Sequence, residues 1–157
     1  MSLNSPAVRD PDLLDQGARA FGAQCVVLGM DAKRVEASAT IPSGYEVVID
    51  GGRTPTAKDA LAWAQEAERR GAGEICLNAI DTDGVRDGYE LTLTRMVADA
   101  VGIPVIASGG GGTPQHLVEA VTTGGADAAL IASMVHYGDY TVDGIKAEMR
   151  SAGVAVR

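Results

Sequence analysis

One pattern recurs four times along the chain: a segment with helical spacing stops at a glycine, and a short apolar run follows within a few residues. We expect these glycines to end helices, because glycine adopts positive φ at little cost. They are Gly22, Gly71, Gly102 and Gly125. The apolar runs cover residues 25–30, 75–79, 104–108 and 128–131. A continuously apolar strand is typical of a parallel sheet buried on both faces, so an α/β protein with four parallel strands and outer helices is predicted.

Three helices are predicted to begin where an oxygen-bearing side chain precedes a proline. Such a side chain caps the first turn, and the N–H that proline lacks is not needed at the first helical position. The three pairs are Asp10-Pro11, Thr54-Pro55 and Thr113-Pro114.

The segment between residues 34 and 50 is too long for a plain connection. Hydrophobic and polar residues alternate in RVEASATI and again in YEVVID, with Pro42-Ser43-Gly44 between them. This alternation predicts a β-hairpin inserted after the strand that ends at Asp31, over the mouth of the sheet. Long βα connections of this kind are often functional.

Composition narrows the function classes. The net charge of −8 and the absence of a basic run disfavour nucleic acid as a partner. No apolar stretch approaches the ~20 residues that span a bilayer, and no signal peptide is recognisable. Cys25 and Cys76 lie inside apolar runs, which predicts reduced, packed thiols and a cytoplasmic protein. His116 and His136 lack partners at metal-ligand spacing, so we expect no metal and place them on a helix and the surface.

Ligands of parallel α/β proteins bind at the carboxyl ends of the strands. One such end is followed by Ser108 and four glycines, then by a predicted helix. Bare backbone N–H groups at a helix start suit an anion, so we predict a phosphate site there, with Ser133 after the next strand contributing. The alternative is that the glycines only form a tight turn.

Acidic residues follow the other two strands. Asp31, in GMDAKR, is a candidate general acid or base, with a solvated loop aspartate as the alternative. Asp81 and Asp83 precede Gly84 and are equally explained as turn formers. Position along the chain does not decide between these roles.

A series of motifs resembles the cyclase subunit of imidazole glycerol phosphate synthase, a family of histidine biosynthesis. In chain order they are SLNSPAV, DAKR, GGRTPT, RGAGEICLNAIDTDG, DGYELTLTR, IPVIASGGGG and GADAALIAS. The resemblance covers essentially all 157 residues. The sister isomerase of the pathway shares the barrel and its phosphate loops, but DAKR, GGRTPT and AIDTDG are more similar to the cyclase.

The resemblance implies a fold: the carboxy-terminal half of a (β/α)8 TIM barrel. Residues 1–157 would then form a single (β/α)4-type half-barrel domain, holding the end of strand 4, helix 4, and βα units 5 to 8 of the parent barrel. The implied reaction closes an imidazole ring, using ammonia from a glutaminase subunit and a bis-phosphorylated ribotide. No cofactor is implied.

The resemblance also implies site residues. Asp31 matches the family's second catalytic aspartate, and Asn78 and Asp83 match positions near the substrate. The matching phosphate-binding positions are Asn4, Ser5, Gly84, Ser108, Gly109, Gly110, Gly111, Ala132 and Ser133.

The family's first catalytic aspartate belongs to an amino-terminal half that has no counterpart in this sequence. We therefore expect the chain alone to bind phosphate, to turn over little or no substrate, and to form no stable glutaminase complex. Open sheet edges favour a homodimer. The alternatives are a catalytically inactive phosphate-binding half barrel that self-associates, and a phosphoribosyl isomerase of the same superfamily.

Overall fold

Each predicted apolar run contributes a strand to a seven-stranded sheet in the computed structural model, which describes residues 1–157. The strands are β1 (Ser2–Leu3), β2 (Val27–Arg34), β3 (Tyr45–Ile49), β4 (Thr54–Asp59), β5 (Glu74–Ala79), β6 (Val105–Ser108) and β7 (Ala128–Ala129). Their order is β4-β3-β2-β5-β6-β7, with β1 also paired to β2. Strands β1, β2, β5, β6 and β7 are mutually parallel, and the sheet is not closed. This architecture confirms the α/β class and is consistent with half of a (β/α)8 barrel.

Seven α-helices connect or flank these strands. They are α1 (Ser5–Arg9), α2 (Asp12–Phe21), α3 (Ala60–Arg69), α4 (Leu91–Ala100), α5 (Pro114–Thr122), α6 (Ser133–His136) and α7 (Val142–Ser151), with a short 3-10 helix at Ala23–Cys25. None of them is long and apolar enough to cross a membrane.

Three of the four glycines predicted to end helices do have positive φ: Gly22 (87°), Gly71 (99°) and Gly125 (69°). The prediction was wrong for Gly102, because α4 ends at Ala100, the following Val101 is already extended, and Gly102 does not have positive φ. The N–H of Gly102 instead donates to the Glu68 side chain at 2.8 Å, so a side chain from α3 satisfies this connection.

The predicted helix start at Thr54-Pro55 was also wrong. These residues open β4, which pairs antiparallel with β3, and α3 begins only at Ala60. β4 is the edge strand of the sheet, where proline is tolerated. Asp59 caps α3 instead, with its Oδ1 accepting the Ala62 N–H at 3.0 Å.

The inserted hairpin exists, but its arms differ from those predicted. β2 continues past Asp31 to Arg34 and pairs antiparallel with β3, while residues 35–44 form no strand. The first arm is therefore the end of β2 itself, and β4 adds a third strand. The alternation in RVEASATI misled the prediction because residues 35–40 have no partner strand.

The two faces of the sheet differ in burial. On the helix side, Leu28, Met30, Ile75, Leu77 and Val105 are fully buried, each contributing roughly 1.5–3 kcal/mol of hydrophobic stabilisation. They pack with Leu14, Trp63, Leu93 and Val97 of the helices.

The opposite, inner face of the central strands is only partly covered. Cys76 on this face is half-buried, and burial raises the pKa of its thiol. Cys25 is exposed in the 3-10 helix, so the prediction of a packed thiol was wrong there. The apolar runs thus pack on one face, with the second face left open at the rim where the strands end.

Candidate active site

Asp31, Asn78 and Ser108 form a row across three neighbouring strands. The register pairs Asp31 of β2 with Asn78 of β5, and Asn78 with Ser108 of β6, so all three point to the inner face. The Nδ2 of Asn78 donates to Asp31 Oδ1 at 3.3 Å, and Asp31 is only 9% exposed. A nearly buried carboxylate that is held by an amide can exchange protons with a bound ligand.

A cavity of about 220 Å³ opens beside this row. Three segments enclose it: the loop after β5, the glycine run after β6, and the residues that follow β7. Its lining includes Asp83, Gly84, Arg86, Ser108, Gly109, Gly110, Gly111, Leu130, Ile131, Ala132 and Ser133. We call this space the glycine cavity. Apart from Asn4 and Ser5, every residue predicted to bind phosphate lines it.

The glycine run is explained in part by packing alone. A Cβ on Gly110 would lie 2.0 Å from the carbonyl oxygen of Gly88, and one on Gly112 would lie 2.0 Å from that of Arg86. The Gly88 N–H donates to the Gly110 carbonyl at 2.9 Å. The loop after β5 thus presses its main chain against the run, and no side chain fits between them. It is the cavity, more than the glycines themselves, that points to a ligand.

Tyr89 holds the same loop to the segment after β7. Its hydroxyl donates to the Leu130 carbonyl oxygen at 2.8 Å. Burial raises the pKa of Tyr89 to about 12, so the hydroxyl keeps its proton near neutral pH. His116 of α5 supports the run from behind, since its Nδ1 accepts the Gly112 N–H at 3.2 Å. His136 lies in α6, and no group of three or more His, Cys, Asp or Glu residues is arranged to hold a metal ion.

Arg34 joins both ends of that loop to the strand carrying Asp31. Its backbone N–H donates to Asp81 Oδ2 at 2.7 Å, and its Nη2 pairs with Glu90 Oε2 at 2.8 Å. Its guanidinium also lies 5.0 Å from the ring centre of Tyr45. Burial raises the pKa of Glu90, but the hydrogen bond and charge of Arg34 lower it more, so it lies below its ordinary value. Burial and the Glu90 charge raise the pKa of Tyr45 to about 12.

Asn4 and Ser5, predicted to bind a second phosphate, lie outside the glycine cavity. Ser5 Oγ accepts the Asp50 N–H at 3.0 Å, and Asp50 accepts two hydrogen bonds from Arg9, at 2.8 and 2.7 Å. The Oδ1 of Asn4 is buried without a partner, and Asn4 lies against Gly29, two residues before Asp31 on the same face. We call Asn4, Ser5, Arg9 and Asp50 the Ser5 cluster.

The sequence motifs did not predict Arg34 or Arg86 as residues of the site. Arg34 was quoted only as a neighbour of Asp31, although it is the residue that fixes both ends of the loop after β5. Arg86 lines the glycine cavity from a turn of positive φ (69°). No local signal in the sequence marks either residue, because their partners lie more than 45 positions away.

Comparison with known proteins agrees with this geometry. A family model described as histidine biosynthesis protein matches residues 1–141. The imidazole glycerol phosphate synthase subunit HisF of Desulfatibacillum aliphaticivorans is 64% identical over the whole chain, which covers 60% of that protein. The same subunit of Syntrophobacter fumaroxidans is 64% identical and that of Nitratidesulfovibrio vulgaris 60%, each over the whole chain and 61% of the relative.

The chain thus spans about 60% of the length of the curated relatives it matches. Their common name confirms the resemblance recognised from the motifs and does not favour the isomerase alternative. The chain belongs to the histidine biosynthesis protein family and is similar, over its whole length, to the imidazole glycerol phosphate synthase subunit.

Proposed function

We propose that this chain supplies the carboxy-terminal half of a cyclase active site. The reaction combines ammonia with a bis-phosphorylated formimino-carboxamide ribotide and closes an imidazole ring. Its products are imidazole glycerol phosphate and aminoimidazole carboxamide ribotide. The observation that carries this proposal is that Asp31, tied to Asn78, shares one rim of the sheet with the glycine cavity.

In this proposal Asp31 transfers protons during ring closure. Its Oδ1 is engaged by Asn78, which orients the carboxylate and leaves Oδ2 for the substrate. Its low exposure shields the exchange from bulk water. Asn78 acts as a positioning residue, and Asp83, at the wall of the cavity, contacts the substrate's polar groups.

The two phosphates of the substrate are assigned to two places. The glycine cavity takes one, because its walls offer backbone N–H groups and its volume of about 220 Å³ far exceeds the ~10–15 Å³ that one water requires. Asn4 and Ser5 take part in binding the other. Ser5 Oγ accepts from Asp50, so its own proton is still available to a phosphate oxygen.

The test uses the chain joined to the amino-terminal part of one of its relatives, because the chain covers about 60% of their length. We expect ring closure with ammonia, and a kcat at least ~100-fold lower in Asp31→Asn. Affinity for inorganic phosphate should be unchanged in that variant. Asn78→Asp is the matched variant at the residue bonded to Asp31, because it keeps the shape of that side chain and adds a charge. Equal turnover in Asp31→Asn and the parent protein contradicts the role of Asp31, and turnover of only the isomerase's substrate contradicts the cyclase.

We also propose that the 157-residue chain self-associates. The two-residue strand β7 leaves an open parallel edge, and an apolar cavity of about 710 Å³ lies between β7, α5 and α7. A second copy would cover both and bring two inner faces together, as in a closed barrel. Light scattering coupled to gel filtration tests this: a discrete dimer is expected, and a monomer contradicts it.

The relatives are named as subunits, so a partner protein is part of their function. We propose that this partner is the glutaminase that supplies ammonia, and that the chain alone does not hold it in a stable complex. Co-elution of the chain with the glutaminase on gel filtration would contradict the absence of a stable complex.

Both cysteines are free thiols, which supports a cytoplasmic location.

A further inference from the structure

Arg86 is the only basic residue among those that line the glycine cavity. The other charged lining residue is Asp83, whose carboxylate repels an anion. Backbone N–H groups carry only partial charge, so the Arg86 guanidinium is the one full positive charge that the lining offers a phosphate dianion.

That guanidinium is already paired. Its Nη2 donates to Oδ2 of Asp139, which lies between α6 and α7. The Arg86 side chain is 36% exposed and the Asp139 side chain 42%. Ion pairs with this exposure are weak, typically worth under ~1 kcal/mol, so a stronger anion can replace the carboxylate.

Only the side chain has to move for this exchange. The main chain at Arg86 packs closely against the glycine run, since a Cβ added at Gly112 would lie 2.0 Å from the Arg86 carbonyl oxygen. The side chain reaches across the rim from the loop after β5 to the segment after α6. Rotation about the torsions of this partly exposed side chain is the movement that would bring its guanidinium from Asp139 to a phosphate in the cavity.

We propose that Arg86 is the cation that binds phosphate in the glycine cavity, and that Asp139 competes with phosphate for it. This inference rests on the proposed function, because it names a ligand residue for the same cavity. The bound state exchanges one ion pair for another, so Asp139 weakens phosphate binding and Arg86 strengthens it. The two partners of a single ion pair thereby have opposite effects on affinity.

The experiment titrates inorganic phosphate into the 157-residue chain by calorimetry at fixed ionic strength. Arg86→Met should weaken phosphate binding roughly tenfold, the loss expected for a charge-assisted hydrogen bond. Arg86→Lys should recover part of that loss, because it retains the charge without the planar fork. Asp139→Asn should tighten binding about two- to fivefold, since it keeps the shape of the side chain and removes the competing charge.

Arg95→Met and Asp99→Asn are the matched controls. These residues form an exposed pair at 2.9 Å on α4 and do not line the cavity, so each changes net charge by the same amount without touching the site. Both should leave phosphate affinity within a factor of about 1.5.

The outcomes separate this inference from the function on which it rests. If the unaltered chain binds no phosphate, the cavity's assignment fails and this inference fails with it. If the chain binds phosphate but Asp139→Asn binds it equally or more weakly, the pair is only a structural tie and this inference alone is overturned. If Arg86→Met does not fold, Arg86→Lys and Asp139→Asn still give the two opposite signs.

Discussion

On one side of the rim, around Gly110, the walls of the cavity are mostly main chain and small side chains, and about 220 Å³ is left open. On the other side, in the Ser5 cluster, Ser5 Oγ accepts the Asp50 N–H and both oxygens of Asp50 accept from Arg9, which leaves the Ser5 O–H and the Oδ1 of Asn4 without partners. Both sides were predicted to bind phosphate from the same set of motifs. The same prediction thus falls on two unlike surroundings, an open cavity lined by main chain and a set of side chains bonded mostly to one another, and residue types alone do not distinguish them.

The largest effect is expected at Gly110, where the main chain of the loop after β5 lies against the glycine run. Gly110→Ala combines a φ of +113° with a Cβ that would lie 2.0 Å from the Gly88 carbonyl oxygen. We expect a loss of about 3 kcal/mol in the free energy of unfolding, and no phosphate binding. Gly84→Ala is the control, with φ +78° and open space around the added Cβ, and should cost about 1 kcal/mol. Equal costs in urea denaturation would show that the two loops do not constrain each other.

The next largest effect concerns Arg34, which connects the Asp31 strand to the loop after β5. Arg34→Met leaves the Glu90 carboxylate, whose side chain is 16% exposed, without its cation. We expect a loss of about 1.5 kcal/mol, reduced by solvent around the 59%-exposed guanidinium. The Arg34 N–H bond to Asp81 is backbone and is retained, and Arg34→Lys should recover about half of the loss.

This loss should depend on pH. The folded pKa of Glu90 lies below its ordinary value of 4.5, so the pair's stabilisation is complete above that value and is lost as the pH falls through the lower folded pKa. The difference in stability between Arg34→Met and the unaltered chain should therefore close in acid. A difference that persists undiminished below pH 3 would assign the effect to packing on Tyr45, and not to charge.

On the hairpin side of the rim, Asp59 caps α3 and also accepts the Ser43 N–H at 2.8 Å. Asp59→Ala should cost about 1 kcal/mol of stability, whereas Asp59→Asn, which caps a helix equally well, should cost less. Burial raises the pKa of Asp59, but its hydrogen bonds with Ser43 and Ala62 outweigh burial, and the pKa lies below its ordinary value. The cap's charge-dependent part should thus be present above pH 4 and fade as acid is added; a pH-independent cost would contradict it.

The smallest effect is expected in the Ser5 cluster itself. Arg9→Met removes an exposed pair with Asp50 and should lower stability less than any of the substitutions above. It should not change the affinity of the glycine cavity for inorganic phosphate, because Arg9 does not line that cavity. A fall in phosphate affinity in this variant would show instead that the two sides of the rim act as one site.

Much of the site was predictable because it follows from strand register. Asp31, Asn78 and Ser108 end apolar runs, and parallel strands bring such ends to one edge, so their proximity needed only the correct strands. The bounds of the hairpin were not predictable. Whether residues 35–40 or Thr54–Asp59 form a strand depends on which segment finds a free edge of β3, and that partner is chosen by packing.

The α/β class, the three glycine helix ends, the rim residues and the family could all be predicted from the sequence, because local periodicity and short motifs are properties of neighbouring positions. Three features depend on how the chain folds: Arg34 holds both ends of one loop, Arg86 lines the cavity while paired with Asp139, and Cys25 is exposed. The contacts of Arg34 and Arg86 join residues 47 to 56 positions apart along the chain, and no local pattern records which remote side chain will meet them.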